Sequence, residues 1–191
     1  MRPLLFLLTL ALTASASAET LTGRIEDPSL RRKTTLVYVE LAPGKFAPPS
    51  DVAVMNQQGN TYSPRLLPVL LGTKVEFRSA DPELHNVNAR AHQQQLFNQA
   101  VLPHQKFARK MEQAGVVHLS CNIHKEMSAD ILVLQNPFFA KPDAEGGFTN
   151  ANVPPGNYAL RVFGPELSDE QRAKVFKISV GSGAPIKLAM Q

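Results

Sequence analysis

The chain has 191 residues, 43% of them hydrophobic and 19% charged, and contains no tryptophan. Its formal net charge is +4 with histidine neutral, and the basic residues are dispersed apart from Arg31-Arg32-Lys33. No aromatic residues interleave with that triplet, which reads as a solvated turn, so the composition argues against a nucleic-acid binder.

The chain opens with Met1-Arg2, a mostly apolar run from Pro3 to Leu12, and the small-residue sequence Ala16-Ser17-Ala18. This pattern predicts a secretory signal peptide over residues 1–18, cut after Ala18. The apolar run is shorter than the roughly 20 residues that a bilayer span requires. The expectation is therefore a periplasmic protein with no membrane insertion after signal cleavage. Glu19 to Gln191 would remain, enough for one domain or two small ones.

The rest of the chain reads as β structure. Thr35 to Leu41 alternates apolar and polar residues, and Leu66–Leu71 and Thr73–Phe77 are short apolar runs divided by Gly72. Gly115–Leu119 and Ala129–Leu134 read as two core strands. Tyr158–Val162, Val175–Val180 and Ile186–Met190 continue the pattern, and Gly181-Ser182-Gly183 is expected to turn the last two into a hairpin. The 15 prolines suit loops and strand edges. One helical turn is expected at Ser168–Lys174, where Ser168 and Gln171 have capping-box spacing. Many short strands with Gly/Pro punctuation predict an all-β sandwich or barrel.

Between the two core strands lies the stretch richest in chemistry. It contains the only cysteine, Cys121, followed by His124 and Met127 in the spacing C-x2-H-x2-M. A secreted chain with one cysteine makes no internal disulfide, and the leftover thiol calls for pairing with another chain, reactivity or ligation. Taken singly, Cys121 would be a buried filler, His124 a surface group and Met127 a core residue. Together they place a thiolate, an imidazole and a thioether on one loop, a soft donor set that suits copper. His85, in DPELHNV, is the candidate for a second imidazole. Two imidazoles and a thiolate with a weak axial thioether form the ligand set of a blue-copper electron-transfer site. Zinc would prefer a second thiolate or a carboxylate to the thioether. A Cys-His nucleophile pair would leave Met127 without a role and lacks an orienting group. His92, His104 and His118 have no such spacing, and strand alternation places His118 on the opposite face from Cys121.

The segments PVLLGTKVEFRSADPELHNV and GVVHLSCNIHKEMSADILVL, with Phe107 between them, resemble the cupredoxin family, of the plastocyanin and amicyanin kind. The C-x2-H-x2-M loop is similar to the short amicyanin-type loop. The resemblance spans about Val52 to Gln135 and weakens between Ala89 and Lys106, where AHQQQLFNQ has no clear counterpart. It implies a Greek-key sandwich with one type 1 copper held by His85, Cys121, His124 and Met127. It also implies that Asn86 ties the His85 strand to the cysteine loop.

The flanks carry a second resemblance. LTGRIED and DAEGGFTNANVPPGNYALRV look like the two halves of a carboxypeptidase-regulatory-like, transthyretin-type β-sandwich. The expected organisation is a signal peptide over 1–18, N-terminal strands over 19–50, a cupredoxin-like copper domain over 51–136 and a C-terminal β-sandwich region over 137–191. Either the two flanks pair as one split sandwich around the copper domain, or the C-terminal part is an appendage. The functional expectation is a non-enzymatic electron carrier serving a redox protein such as a cytochrome or a periplasmic dehydrogenase. The alternative is a copper-binding or copper-delivery protein without a shuttle role. A third is an interaction module in which the metal is secondary.

Overall fold

A computed structural model describes residues 19–31, 34–181 and 186–188. The expected signal peptide lies outside the described residues. Among the described residues, no helix is long and apolar enough to cross a membrane.

The chain begins with strands β1 (Glu19–Ile25) and β2 (Leu36–Val39). There follow β3 (Ala53–Gln58), β4 (Thr61–Ser63), β5 (Leu66–Leu70), β6 (Lys74–Ser79) and β7 (His85–Ala91). Next come β8 (Gln94–Val101), β9 (Lys106–Lys110), β10 (Gly115–Ser120) and β11 (Ser128–Leu134). The C-terminal part contains β12 (Phe139–Ala140), β13 (Gly147–Val153), β14 (Gly156–Phe163), helix α1 (Asp169–Ala173), β15 (Phe176–Val180) and β16 (Ile186–Leu188). The fold is all-β, as the strand pattern predicts.

Strands β3 to β11 form two sheets, one ordered β5-β11-β10-β7-β8 and the other β4-β3-β6-β9. β3 pairs parallel with β6 and β5 parallel with β11, so the chain crosses between distant strands as Greek-key topologies require. The inner faces share one core, built from Met55, Phe77, Val87, Leu119 and Ile131 among others. Phe107 stacks on Phe77 with ring centroids 4.9 Å apart, and Phe97 meets Phe77 edge-on at 5.9 Å. Each fully buried side chain of this core, such as Phe77 or Leu119, contributes roughly 1.5–3 kcal/mol relative to exposure.

β1, β2 and the strands after residue 138 form two further sheets, β13-β1-β16 and β12-β2-β14-β15. Their common core includes Leu21, Ile25, Val37, Phe148 and Leu160. The reason is local: two N-terminal strands cannot bury their apolar faces alone, and the C-terminal strands supply the partners. β11 joins the two bodies. Ile131 and Val133 face the first core, while Leu132 and Leu134 turn outward against Leu36 and Phe163.

Several local features match the sequence reading and one does not. Ser168 caps α1 with the reciprocal Gln171 bonds of a capping box. Gly72 turns the chain between β5 and β6 at φ +89°, where a side chain would be strained. The unmatched stretch after Ala89 is the β7–β8 hairpin, turned by His92 and Gln93 at φ 46° and 65°, the left-handed pair of a type I′ turn. The expected final hairpin does not form. β16 pairs in parallel with β1, Gly23 opposite Ile186, because the edge of β1 not taken by β13 offers a ladder there; β15 pairs with β14 instead.

Candidate metal centre

The site lies where the β6–β7 loop meets the β10–β11 loop. His85 is the first residue of β7, fully buried, and Cys121 follows the last residue of β10. The strand ends place them side by side because β7 and β10 are paired neighbours, Asn88 opposite Ser120. The loop after Cys121 is closed by its own backbone. The Met127 N–H donates to the His124 carbonyl at 3.1 Å, and the Cys121 N–H to the Met127 carbonyl at 3.3 Å. These bonds bend the chain so that His124 returns toward Cys121, as the two-residue gaps require.

The imidazoles of His85 and His124 face each other with Nδ1 atoms 3.1 Å apart. One ring nitrogen of each and the Cys121 sulfur all lie within 4.8 Å of one another. Two lone pairs held this close repel unless a proton or a cation sits between them. Two nitrogens bound to one ion at about 2.0 Å each, at ordinary ligand angles, stand about 3.1–3.3 Å apart. The observed separation thus suits a shared metal. Met127 is 1% exposed and packs in the same core as Cys121.

The tautomer of His85 follows from its outer nitrogen. Nε2 lies 2.8 Å from an Asp81 carboxylate oxygen, so it carries the proton and leaves Nδ1 free to ligate. Asp81 is itself anchored, accepting the Gly59 N–H at 2.8 Å and the Asn60 N–H at 3.4 Å. The Gly59 bond, opposed by burial and reinforced by His85 and Asn60, holds the Asp81 carboxyl below its ordinary range, so it stays ionised. His124 has its Nε2 3.4 Å from Glu83 and a side chain 19% exposed, so among the three grouped ligand candidates it alone reaches solvent appreciably.

Asn86 joins the two loops. Its Oδ1 accepts the Asn122 N–H at 2.6 Å and the Cys121 thiol at 3.3 Å, while its Nδ2 donates to Asn98 at 2.6 Å. The His124 N–H lies 3.4 Å from the sulfur as a donor that would stabilise a thiolate. Beneath these strands, the buried Tyr62 hydroxyl donates to the Asn86 carbonyl at 2.7 Å, with the Ser120 carbonyl at 3.2 Å. Burial first, and then the Cys121 charge, push the Tyr62 phenol far above its ordinary value, so it stays a donor.

The structure therefore brings His85, Cys121 and His124 together, buries Met127 at the end of the same loop, and places Asn86 between the His85 strand and the cysteine loop. His118 is kept apart: its ring is 56% exposed and bonds Asp130 at 2.9 Å. Sequence reasoning missed Asp81 and Tyr62. Asp81 stands four positions before His85, a spacing that hints at contact, whereas Tyr62 carries no signal of its own.

No protein-family model and no curated protein sequence matches this chain. Solved structures do. A purple cupredoxin from Nitrosopumilus maritimus is 24% identical over 42% of this chain and 98% of its own, with a TM-score of 0.39. A reduced Cu(I) form of an amicyanin variant is 20% identical over 46% of this chain and 91% of its own, at 0.41. A Cu-containing nitrite reductase from Thermus scotoductus is 20% identical over 51% of this chain and 25% of its own, at 0.42. The structural neighbours of this chain thus include cupredoxins, and its own all-β fold carries a His85–Cys121–His124 group positioned to bind a metal ion.

Proposed function

We propose that this protein is a periplasmic type 1 copper protein that carries electrons between redox partners. The observation that carries the reading is the convergence of two imidazole Nδ1 atoms at 3.1 Å beside a buried thiol. Copper held there by His85, Cys121, His124 and Met127 would supply a one-electron Cu(II)/Cu(I) change. The chain's own residues do the rest. Asp81 and the closed loop hold His85 and His124 in place, so little ligand movement accompanies a change of charge. Four protein ligands leave no open position for a substrate, which argues for a carrier rather than an enzyme.

The exposed edge of His124 is the natural port for electrons. Leu84, Leu102 and Ile123, all exposed, stand in the loops at this end of the sandwich and offer an apolar docking face. A redox protein such as a cytochrome or a periplasmic dehydrogenase is the partner this face would suit.

The test is a visible and EPR spectrum of the protein loaded with Cu(II). An intense thiolate-to-copper charge-transfer band with narrow hyperfine splitting is expected. A colourless protein that still binds Cu(I) would refute the electron-carrier reading and favour copper delivery.

A further inference from the structure

We propose that the cleft between the two sandwiches is a binding site for a small amphiphilic anion, an apolar body bearing a carboxylate or sulfonate head. The cleft has a volume of about 610 Å³, within the range of roughly 300–1,000 Å³ usual for ligand pockets, which favour domain junctions. Leu36 and Phe139 come from the flanking sandwich and Leu66 from the inserted one, giving it apolar walls. Arg65 and Lys141 stand at it, one from each sandwich.

Charge decides the kind of ligand. Arg65 and Lys141 are exposed, and neither has an ion-pair partner among the described residues. No carboxylate lines the cleft. The nearby acid Glu166 accepts the Thr34 hydroxyl at 2.7 Å and is not one of the lining residues. Asp130, which lines a neighbouring pocket with Arg65, is bonded to His118 at 2.9 Å. Two cations without an ion-pair partner among the described residues thus stand on an apolar cleft and favour a ligand that buries hydrocarbon and presents negative charge to both. The apolar walls disfavour a bare inorganic ion.

The inference goes beyond the metal reading and does not depend on it. The test therefore uses the whole metal-free protein, with 8-anilinonaphthalene-1-sulfonate as the probe. Saturable one-to-one fluorescence enhancement is expected, with amide shifts in a ¹⁵N spectrum centred on Leu36, Tyr62, Arg65, Phe139 and Lys141. The double variant Arg65→Glu/Lys141→Glu changes only exposed side chains and should weaken binding at least tenfold with an unchanged circular dichroism spectrum. Arg109→Glu/Lys110→Glu, the same charge change on β9, should leave affinity within twofold. The neutral probe N-phenyl-1-naphthylamine should bind at least tenfold more weakly than the sulfonate. Unsaturable binding, or equal loss in both double variants, would overturn the proposal. So would shifts centred on Leu84, Leu102 and Ile123, or cleft shifts that follow self-association in the absence of the probe.

Discussion

Replacing Asn86 with alanine should destabilise the metal-free protein by about 2 kcal/mol. Asn86 is buried, and its amide makes two short hydrogen bonds, from the Asn122 N–H and to Asn98, both 2.6 Å. Each such bond is worth about 1 kcal/mol net. Asn122 and Asn98 are themselves exposed, so water can replace the lost partner and the larger penalty for orphaned groups does not apply. The Cys121 thiol at 3.3 Å adds little, since S–H is a weak donor. For a domain of this size, 2 kcal/mol corresponds to roughly 4–8 °C in Tm. Urea denaturation followed by circular dichroism measures it directly. Asn86→Asp separates bonding from charge: it keeps an acceptor for the Asn122 N–H but places a negative charge beside the sulfur. The copper-loaded variant should then show a lowered reduction potential, because the added charge favours the more positive metal ion. A stability loss in Asn86→Ala below about 0.5 kcal/mol would refute the view that this amide ties the two loops together.

Cys121→Ser should abolish the charge-transfer band while leaving the β circular dichroism signal unchanged; a retained reversible copper couple would refute the site. Asp81→Ala removes the acceptor at His85 Nε2 and the anchor for Gly59 and Asn60. Copper affinity should fall by about 10–100-fold, as for other groups that orient a ligating histidine, measured by competition with a chelator. Gly146 sits at φ +86°, and a Cβ there would collide with the Ile25 carbonyl oxygen. Gly146→Ala should therefore cost at least about 2 kcal/mol in denaturation experiments, by strain and by disturbing the β1–β13 junction. Asp27 is held below its ordinary range mainly by hydrogen bonds from Ser29. Its contribution to stability is therefore present above its unfolded value of about 4 and is lost as pH falls through the lower folded value. Asp27→Asn should flatten that acid limb in a pH series of unfolding midpoints.

Much of the site was legible because its spacing is local. Cys121, His124 and Met127 share one loop, and backbone bonds within that loop bring His124 back toward the sulfur. The strand runs around them were equally plain, since alternation and Gly72 mark them in the chain itself. Other features hid because their causes are distant. Tyr62 and Ser120 lie far apart in sequence and meet only when β4 packs beneath β10. The β7–β8 turn uses His92 and Gln93 where Asn-Gly would have announced it. The final strand looked like the second arm of a hairpin, yet β1 offered it a parallel edge.

By itself, the order of residues determined the soft donor set, the strand periodicity and the capped turn at Ser168, all of which depend on neighbours along the chain. Only tertiary structure decided which nitrogen of His85 faces the site, because the distant Gly59 and Asn60 N–H groups fix Asp81 where it claims the other. It alone paired the N-terminal strands with the C-terminal ones and opened a cleft where Arg65 and Lys141 share one apolar surface. Periodicity tells each strand which face to bury. The partner against which it is buried is chosen by competition among every free edge and apolar face in the chain, and that competition is settled only when the whole chain packs.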